Sequence, residues 1–357
     1  MLTFRIAIVA AAVAGAALIF AAADEPAKVE PATGSTAPAP GPAGAASADP
    51  ASATRSATAT SPAKPSLAKA LAELKDPPDW FADTDVDWDT NRPWQEARVE
   101  VRRLLGGDDV QARQAVKLTW TYRKKGGIGD DGHQWPMYLF MGGEIAWAIQ
   151  EYPAYLKAAA SKGPTHAYLC FASCYAHFGE YDKALAVLDQ AAKDLPAPPW
   201  RTANLASIHE RRGDLYADMG QADKARAEYA AAAELYPKSD QPYGREKLAG
   251  QVETVRTKVE MLAAKPPAEA RLTDGTFKST VPGYSKDLTV TVTVKDGRIG
   301  DVKVAAAESI ERGATRIVPR RIVEANGLRV DTVTGATVTS QAVVIGAYKA
   351  LKQAGVK

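Results

Sequence analysis

The sequence predicts two folded parts in series: an all-α helical-repeat region over 67–265 and a small α+β domain over 271–357. Three observations carry that reading. Helical periodicity recurs from 93 to 262, with one segment repeated in near-duplicate. Lys265-Pro266-Pro267 then stops the last helix, because proline cannot continue it and restricts the residue before it. Beyond that break, Leu288, Val290, Val292 and Val294 alternate with Thr289, Thr291, Thr293 and Lys295, the period of a strand with one buried face. A chain of 357 residues, 46% hydrophobic and 24% charged, suits two or three modest domains.

Residues 1–23 read as a secretory signal: Arg5, an apolar run from Ile6 to Phe20, and a small-residue cleavage site at Ala21-Ala22-Ala23. The expectation is therefore export to the periplasm or cell envelope. An uncleaved membrane anchor is the alternative, although the run is short for a bilayer span. Residues 24–66 are rich in Ala, Pro, Ser and Thr and read as a disordered spacer, unable to bury enough apolar surface to offset its ordering entropy. As a random chain it would span roughly 35–40 Å.

Helices are predicted at 93–105, 109–124 and 136–159. Two motifs here fail on context. Asp83, Asp85, Asp87 and Asp89 imitate a calcium loop, but Trp88 and Trp94 stand where Gly and the closing Glu are needed. Gly127, Gly129 and Gly132 match GxGxxG, but they follow a helix end and not a strand. Cys170 and Cys174, four apart on a predicted helix, read as small apolar core residues. No second pair exists to complete a zinc or iron–sulfur set. The four histidines (His133, His166, His177 and His209) are scattered, without metal-ligand spacing, and no nucleophile motif accompanies them.

The duplicated segment lies at about 164–196 and 204–238. Ala172, Tyr175, Ala184, Leu188, Ala191 and Pro196 are echoed by Gly213, Tyr216, Ala225, Tyr229, Ala232 and Pro237. The pattern resembles tetratricopeptide repeats, with Gly179 and Gly220 at the turns between helices. The 41-residue offset between Tyr175 and Tyr216 exceeds the usual ~34, and 196–203 reads as a lengthened loop. Two repeats alone would expose an apolar face, so the helices at 93–159 and 244–262 are expected to complete the stack. The resemblance implies a docking surface for a partner protein; a structural spacer reads equally well.

In the C-terminal part, a first strand is expected at 276–281, closed by Pro282-Gly283-Tyr284. Asp296-Gly297 signals a two-residue hairpin turn. Ile299 and Val302 are out of phase, which places a bulge near Gly300. A helix follows at 316–325, then the stretch DTVTGATVTS at 331–340, then a helix at about 341–353 with Thr339 or Ser340 as N-cap and Gly355 past its end. A helix start among small hydroxyl residues favours a phosphate.

Asp331, Thr334, Gly335, Ala336 and Thr337 match, position by position, the flavinylation motif of FMN-binding domains, and DGTF…PGY…strand–DG–strand resembles the opening of that family. The resemblance covers about 272–354. It implies FMN esterified through its phosphate to Thr337 by an FAD-dependent FMN transferase, with Asp331 a recognition element for that transferase. Thr334, Gly335, Ala336, Thr339 and Ser340 would surround the attachment; Gly283 and Tyr284 are candidates to border the ring, and a plain turn explains them equally well. The domain is also basic: 14 Lys and Arg against 8 Asp and Glu over 271–357, a net of +6, which leaves −4 for 1–270. Such a surface suits an anionic cofactor and an acidic partner, and an ordinary solvated face accounts for it at least as well.

The function implied is an exported electron-transfer flavoprotein passing electrons between membrane or extracytoplasmic redox proteins such as a dehydrogenase or cytochrome. The reading favours an electron-transfer flavoprotein over an enzyme with its own substrate without deciding between them, and no nucleic-acid partner is expected. The rivals are a repeat-based adaptor with non-covalent or no flavin, and a flavin-dependent reductase of an external acceptor.

Overall fold

The computed structural model describes residues 64–128, 134–159, 162–242, 244–308, 312–330, 332–333 and 335–356, without the side chains of 245–247. The signal and nearly all of the spacer, as well as Asp331, Thr334 and His133, lie outside the described residues. Among the described residues no helix is long and apolar enough to cross a membrane.

Among the described residues ten α-helices precede the sheet: α1 Leu67–Ala72, α2 Trp94–Leu105, α3 Asp109–Lys124, α4 Trp135–Gly142, α5 Ile145–Ala159, α6 Thr165–His177, α7 Tyr181–Lys193, α8 Arg201–Asp218, α9 Ala222–Leu235 and α10 Arg245–Ala263. The helix expected at 136–159 is two helices. Gly143 adopts the left-handed conformation (φ 89°), ends α4 and turns the chain into α5. The apolar run across the break is continuous because α4 and the first turn of α5 are buried nearly all round. The lengthened loop is also shorter than expected, since α8 already begins at Arg201. At the start of α3, Asp108 accepts from the Gln111 N–H and the Gln111 side chain accepts from the Asp108 N–H, a reciprocal cap that fixes the entry from α2.

Packing explains the duplicated residues. Ala172, Ala184, Leu188 and Ala191 are fully buried between α6 and α7, as Ala206, Ala225 and Ala232 are between α8 and α9. A methyl group at Gly213 would stand 2.4 Å from the Tyr229 ring, so this position must lack one for the second hairpin to close. Larger aromatic residues (Trp135, Trp147, Tyr152 and Phe171) fill the core shared by α4, α5 and α6.

The C-terminal part is an antiparallel sheet, β1 Gly275–Pro282, β2 Asp287–Lys295 and β3 Arg298–Ala305 in the order β1-β2-β3, with α11 Ala314–Ala325 and α12 Thr337–Ala354 against one face. Leu288, Val290, Val292 and Val294 all point into this core at 0–2% exposure. Each such side chain contributes about 1.5–3 kcal/mol. Asp296 and Gly297 both take positive φ, the two-residue turn that suits strand twist. Asp274 clamps the turn by accepting from their N–H groups at 3.0 and 2.9 Å. The expected bulge is present: Thr293 pairs with Asp301 and Val294 with Ile299, leaving Gly300 over.

Candidate functional site

The hydroxyl-rich stretch forms a compact turn feeding α12. The Ala336 N–H donates to the Val333 carbonyl at 3.0 Å, and Gly335 between them is left-handed (φ 77°). Helix α12 begins at Thr337, earlier than expected, and neither Thr339 nor Ser340 caps it. Both lie inside its first turn and are buried. Ser340 instead accepts from the Val333 N–H (3.0 Å) and donates to the Ala336 carbonyl (2.8 Å), tying the incoming chain to the helix. Ala336 has no side chain that can cap.

That start is polar and uncapped. Among the described residues, the N–H groups of Thr337, Val338 and Thr339 find no partner; the first helical bond is Ser340 N–H to Ala336. The Thr339 hydroxyl, 1% exposed, also has none. Arg321 reaches the stretch from α11, donating to the Thr332 carbonyl at 3.3 Å. Thr337 itself is half-buried.

Gly283 and Tyr284 lie at the same end of the domain. Ser279 of β1 donates to the Gly346 carbonyl (2.7 Å) and Gln353 donates to the Lys278 carbonyl (2.8 Å), so α12 runs against β1 and its start lies near the strand's finish. The Glu308 carboxylate accepts from the N–H groups of Tyr284 (3.0 Å) and Ser285 (2.7 Å) and fixes the turn. No hydrogen bond joins the turn to Thr337 among the described residues. Burial, the Cys170 thiol and Glu308 raise the Tyr284 hydroxyl above its ordinary value against the opposing pull of Arg102.

The helical unit covers this end. Gly335 lies so close to α4 that a methyl group there would sit 2.6 Å from the Met141 carbonyl oxygen. Arg312, 8% exposed, donates to that carbonyl (2.6 Å) and pairs with Asp109 (2.9 Å). Four residues past Thr337, Gln341 donates to Asp214 of α8 (3.1 Å) and accepts from Lys258 of α10 (3.4 Å). Lys258 is buried and also donates to Glu210 (2.9 Å) and Asp214 (2.7 Å). Tyr236 and Tyr229 donate to those carboxylates as well. Burial alone would raise Asp214, but Lys258, Arg211 and the bonds from Lys258 and Gln341 hold it below its ordinary value. Burial would likewise lower Lys258, and the two carboxylates raise it instead.

Sequence reasoning missed Arg312, Arg321, Gln341 and the Lys258 cluster. Lys258 did leave a signal, since it interrupts the apolar stripe of Val252, Val255, Val259 and Leu262. The two cysteines take different places in the helical core, Cys174 within it and Cys170 packed against it. Cys174 is fully buried, but Cys170 is half-buried, its Sγ 3.6 Å from His166 Nε2 on the preceding turn. His209 pairs with Glu228 at 2.6 Å. Among the described residues no group of three or more His, Cys, Asp or Glu could hold a metal ion.

Residues 283–352, from the Gly283 turn through the hydroxyl-rich stretch and most of α12, match the FMN-binding domain family, and 140–256 match a tetratricopeptide repeat-like domain. The chain carries an FMN-binding domain behind tetratricopeptide-like repeats. A stretch of 88 residues is 33% identical to NADH:acrylate oxidoreductase of Vibrio harveyi; it covers 24% of this chain and 9% of that protein. No solved structure matches the chain. The residues at the start of α12 fit the phosphate of FMN. Its uncapped N–H groups, the unpartnered buried hydroxyl of Thr339 and the nearby Arg321 guanidinium all favour an anion there.

Proposed function

We propose that this is an exported flavoprotein in which Thr337 carries FMN through a phosphoester and which passes electrons between membrane or extracytoplasmic redox partners. The observation that carries the reading is the uncapped start of α12 within the region that matches the FMN-binding domain family. The flavin ring supplies one- and two-electron transfer when bound. Thr337 contributes attachment. The N–H groups of the first turn, Thr339 and Arg321 hold the charge of the phosphoester, and Asp331 serves recognition by an FMN transferase. Tyr284 borders the ring from the opposite turn. The repeats dock a redox partner with the surface that the FMN-binding domain leaves uncovered.

Co-expression with an FMN transferase, a denaturing gel and ultraviolet illumination test the attachment. A fluorescent band is expected in the wild type and in Thr334→Ala, and a dark one in Thr337→Ala. A dark wild-type band, with an intact mass equal to the polypeptide alone, overturns the proposal. A second reading, a flavin-dependent reductase of an external acceptor, is favoured by the stretch similar to NADH:acrylate oxidoreductase. Reduction of a small unsaturated acid by the purified flavinylated chain, with a chemically reduced viologen as the electron source and no other protein present, would establish it.

A further inference from the structure

The sheet has two edges, and the helices close only one. On β1, Gln353 of α12 donates to the Lys278 carbonyl at 2.8 Å, and α12 lies across β1 and β2. Helix α11 packs chiefly on β3, running beside it in the opposite direction. Asn326, its C-terminal cap, accepts from the Ile299 N–H at 2.9 Å, which closes the start of the strand. Beyond that bond the edge is bare. Ile299 sits opposite Val294, and Val302 and Val304 sit opposite Val292 and Val290, the same alternate positions of β2. Such positions share one phase of an antiparallel pair, so the N–H and C=O groups of Val302 and Val304 point away from β2, as the Ile299 N–H does. Among the described residues no hydrogen bond reaches them. Between this edge and α11 runs a groove of about 570 Å³, lined by residues 300–304 and by a flank of α11 that includes Arg316, Pro319, Arg320 and Val323.

We propose that this groove binds an extended, acidic segment of a partner protein, added to β3 as a fourth strand. The bare N–H and C=O groups pair with the segment's backbone, which gives affinity without dictating sequence, and the side chains of α11 supply the selectivity. Strand β3 and α11 together carry five Lys and Arg against two Asp and Glu. Both acids are engaged in exposed pairs, Asp301 with Lys303 at 3.3 Å and Glu324 with Arg320 at 3.6 Å. Arg316 is exposed and, among the described residues, has no ion pair or hydrogen bond. A carboxylate entering the groove therefore meets a cation with no competing partner. A second copy of this chain is a poor occupant. Two α11 helices would face each other with like charge, and the Gly300 bulge and Lys303 are features that keep an edge strand from pairing with its own kind. The inference rests on the sheet edge and is independent of where flavin is attached.

The test uses the full chain and a pair of labelled peptides of about eight residues, one of alternating Glu and Thr and the other of alternating Lys and Thr. Binding is read by fluorescence anisotropy and located by amide hydrogen exchange. The Glu peptide is expected to bind, to weaken as salt rises, and to slow exchange at the Val302 and Val304 amides, and the Lys peptide to stay free. Arg316→Glu should weaken binding about two- to fivefold, the range of an exposed ion pair, with the melting temperature unchanged. Val304→Pro removes an outward N–H while leaving the ladder to β2 intact, so it should abolish binding. Arg316→Glu keeps the test decisive if the proline variant folds poorly. A Glu peptide that does not bind, equal binding of both peptides, unchanged affinity in Arg316→Glu, or exchange slowed elsewhere overturns the proposal. Slow exchange at Val302 and Val304 in the chain without peptide means that its own spacer or a second copy already fills the groove, and overturns the choice of occupant.

Discussion

Replacing Lys258 with methionine keeps most of the stem that packs in α10 and removes only the ammonium. The ammonium is 2.9 Å from Glu210 and 2.7 Å from Asp214, and the three side chains are 8%, 14% and 12% exposed. Two buried carboxylates would be left beside one another with only neutral donors (Tyr229, Tyr236 and Gln341) and the longer 3.6 Å pairing of Arg211. Breaking a buried ion pair from one side costs about 3–5 kcal/mol, because the surviving charge stays desolvated. The loss should fall on the repeats and on their grip of α12 through Gln341. Urea unfolding followed by tryptophan fluorescence, where all seven tryptophans report on the helical part, reads the loss as a lower midpoint. The triple variant Lys258→Met, Glu210→Gln, Asp214→Asn should recover most of it, since neutral groups carry no comparable desolvation penalty. A single variant within about 1 kcal/mol of wild type would refute the reasoning, placing the cluster in the range of solvent-screened surface pairs.

Gly335→Ala should cost about 1–2 kcal/mol for left-handed backbone alone, plus about 1–3 kcal/mol for overpacking against the immovable Met141 carbonyl. Faster proteolysis between the domains would check it. Arg312→Met should remove about 1.5–3 kcal/mol, almost all from the Met141 carbonyl bond because Asp109 is solvent-exposed; the urea midpoint reports it. In the wild type the cluster's contribution to stability should be flat from about pH 5 to pH 9, whereas the deficit of Lys258→Met should narrow as pH falls, because burial raises Asp214 once the ammonium is gone. Asp214, held low, contributes fully above the ordinary carboxylate range and loses its contribution only as pH falls through its lower folded value. Lys258, held high, contributes fully below the ordinary amine value and loses it as pH rises through its higher folded value. Melting curves of both proteins across that range check this.

Local features were legible because local physics sets them. The alternation of β2, the Asp296-Gly297 turn, the bulge at Gly300 and the glycine turns of the repeats each follow from backbone preferences of a few residues. The break at Gly143 escaped because a helix buried on all sides has no periodicity to interrupt, although Gly142-Gly143 marked the place. The start of α12 escaped because four nearby hydroxyls compete to cap it, and Ser340 bonds backward instead of forward. The covering of the motif could not be read at all. It rests on Arg312 meeting Met141 and Gln341 meeting Lys258, pairs separated by 171 and 83 residues. Neither member of the first pair carries a local sign of the other.

The press of Gly335 against Met141 sets a schedule for maturation. On the proposed attachment a transferase has to reach Thr337, and along the Gly335 flank a second polypeptide has no room while α4 is in place. The threonine is then dressed while the two halves are still apart, and closure comes afterwards. A mature molecule would then be hard both to strip and to dress again, so a bare copy that shuts too early would stay bare.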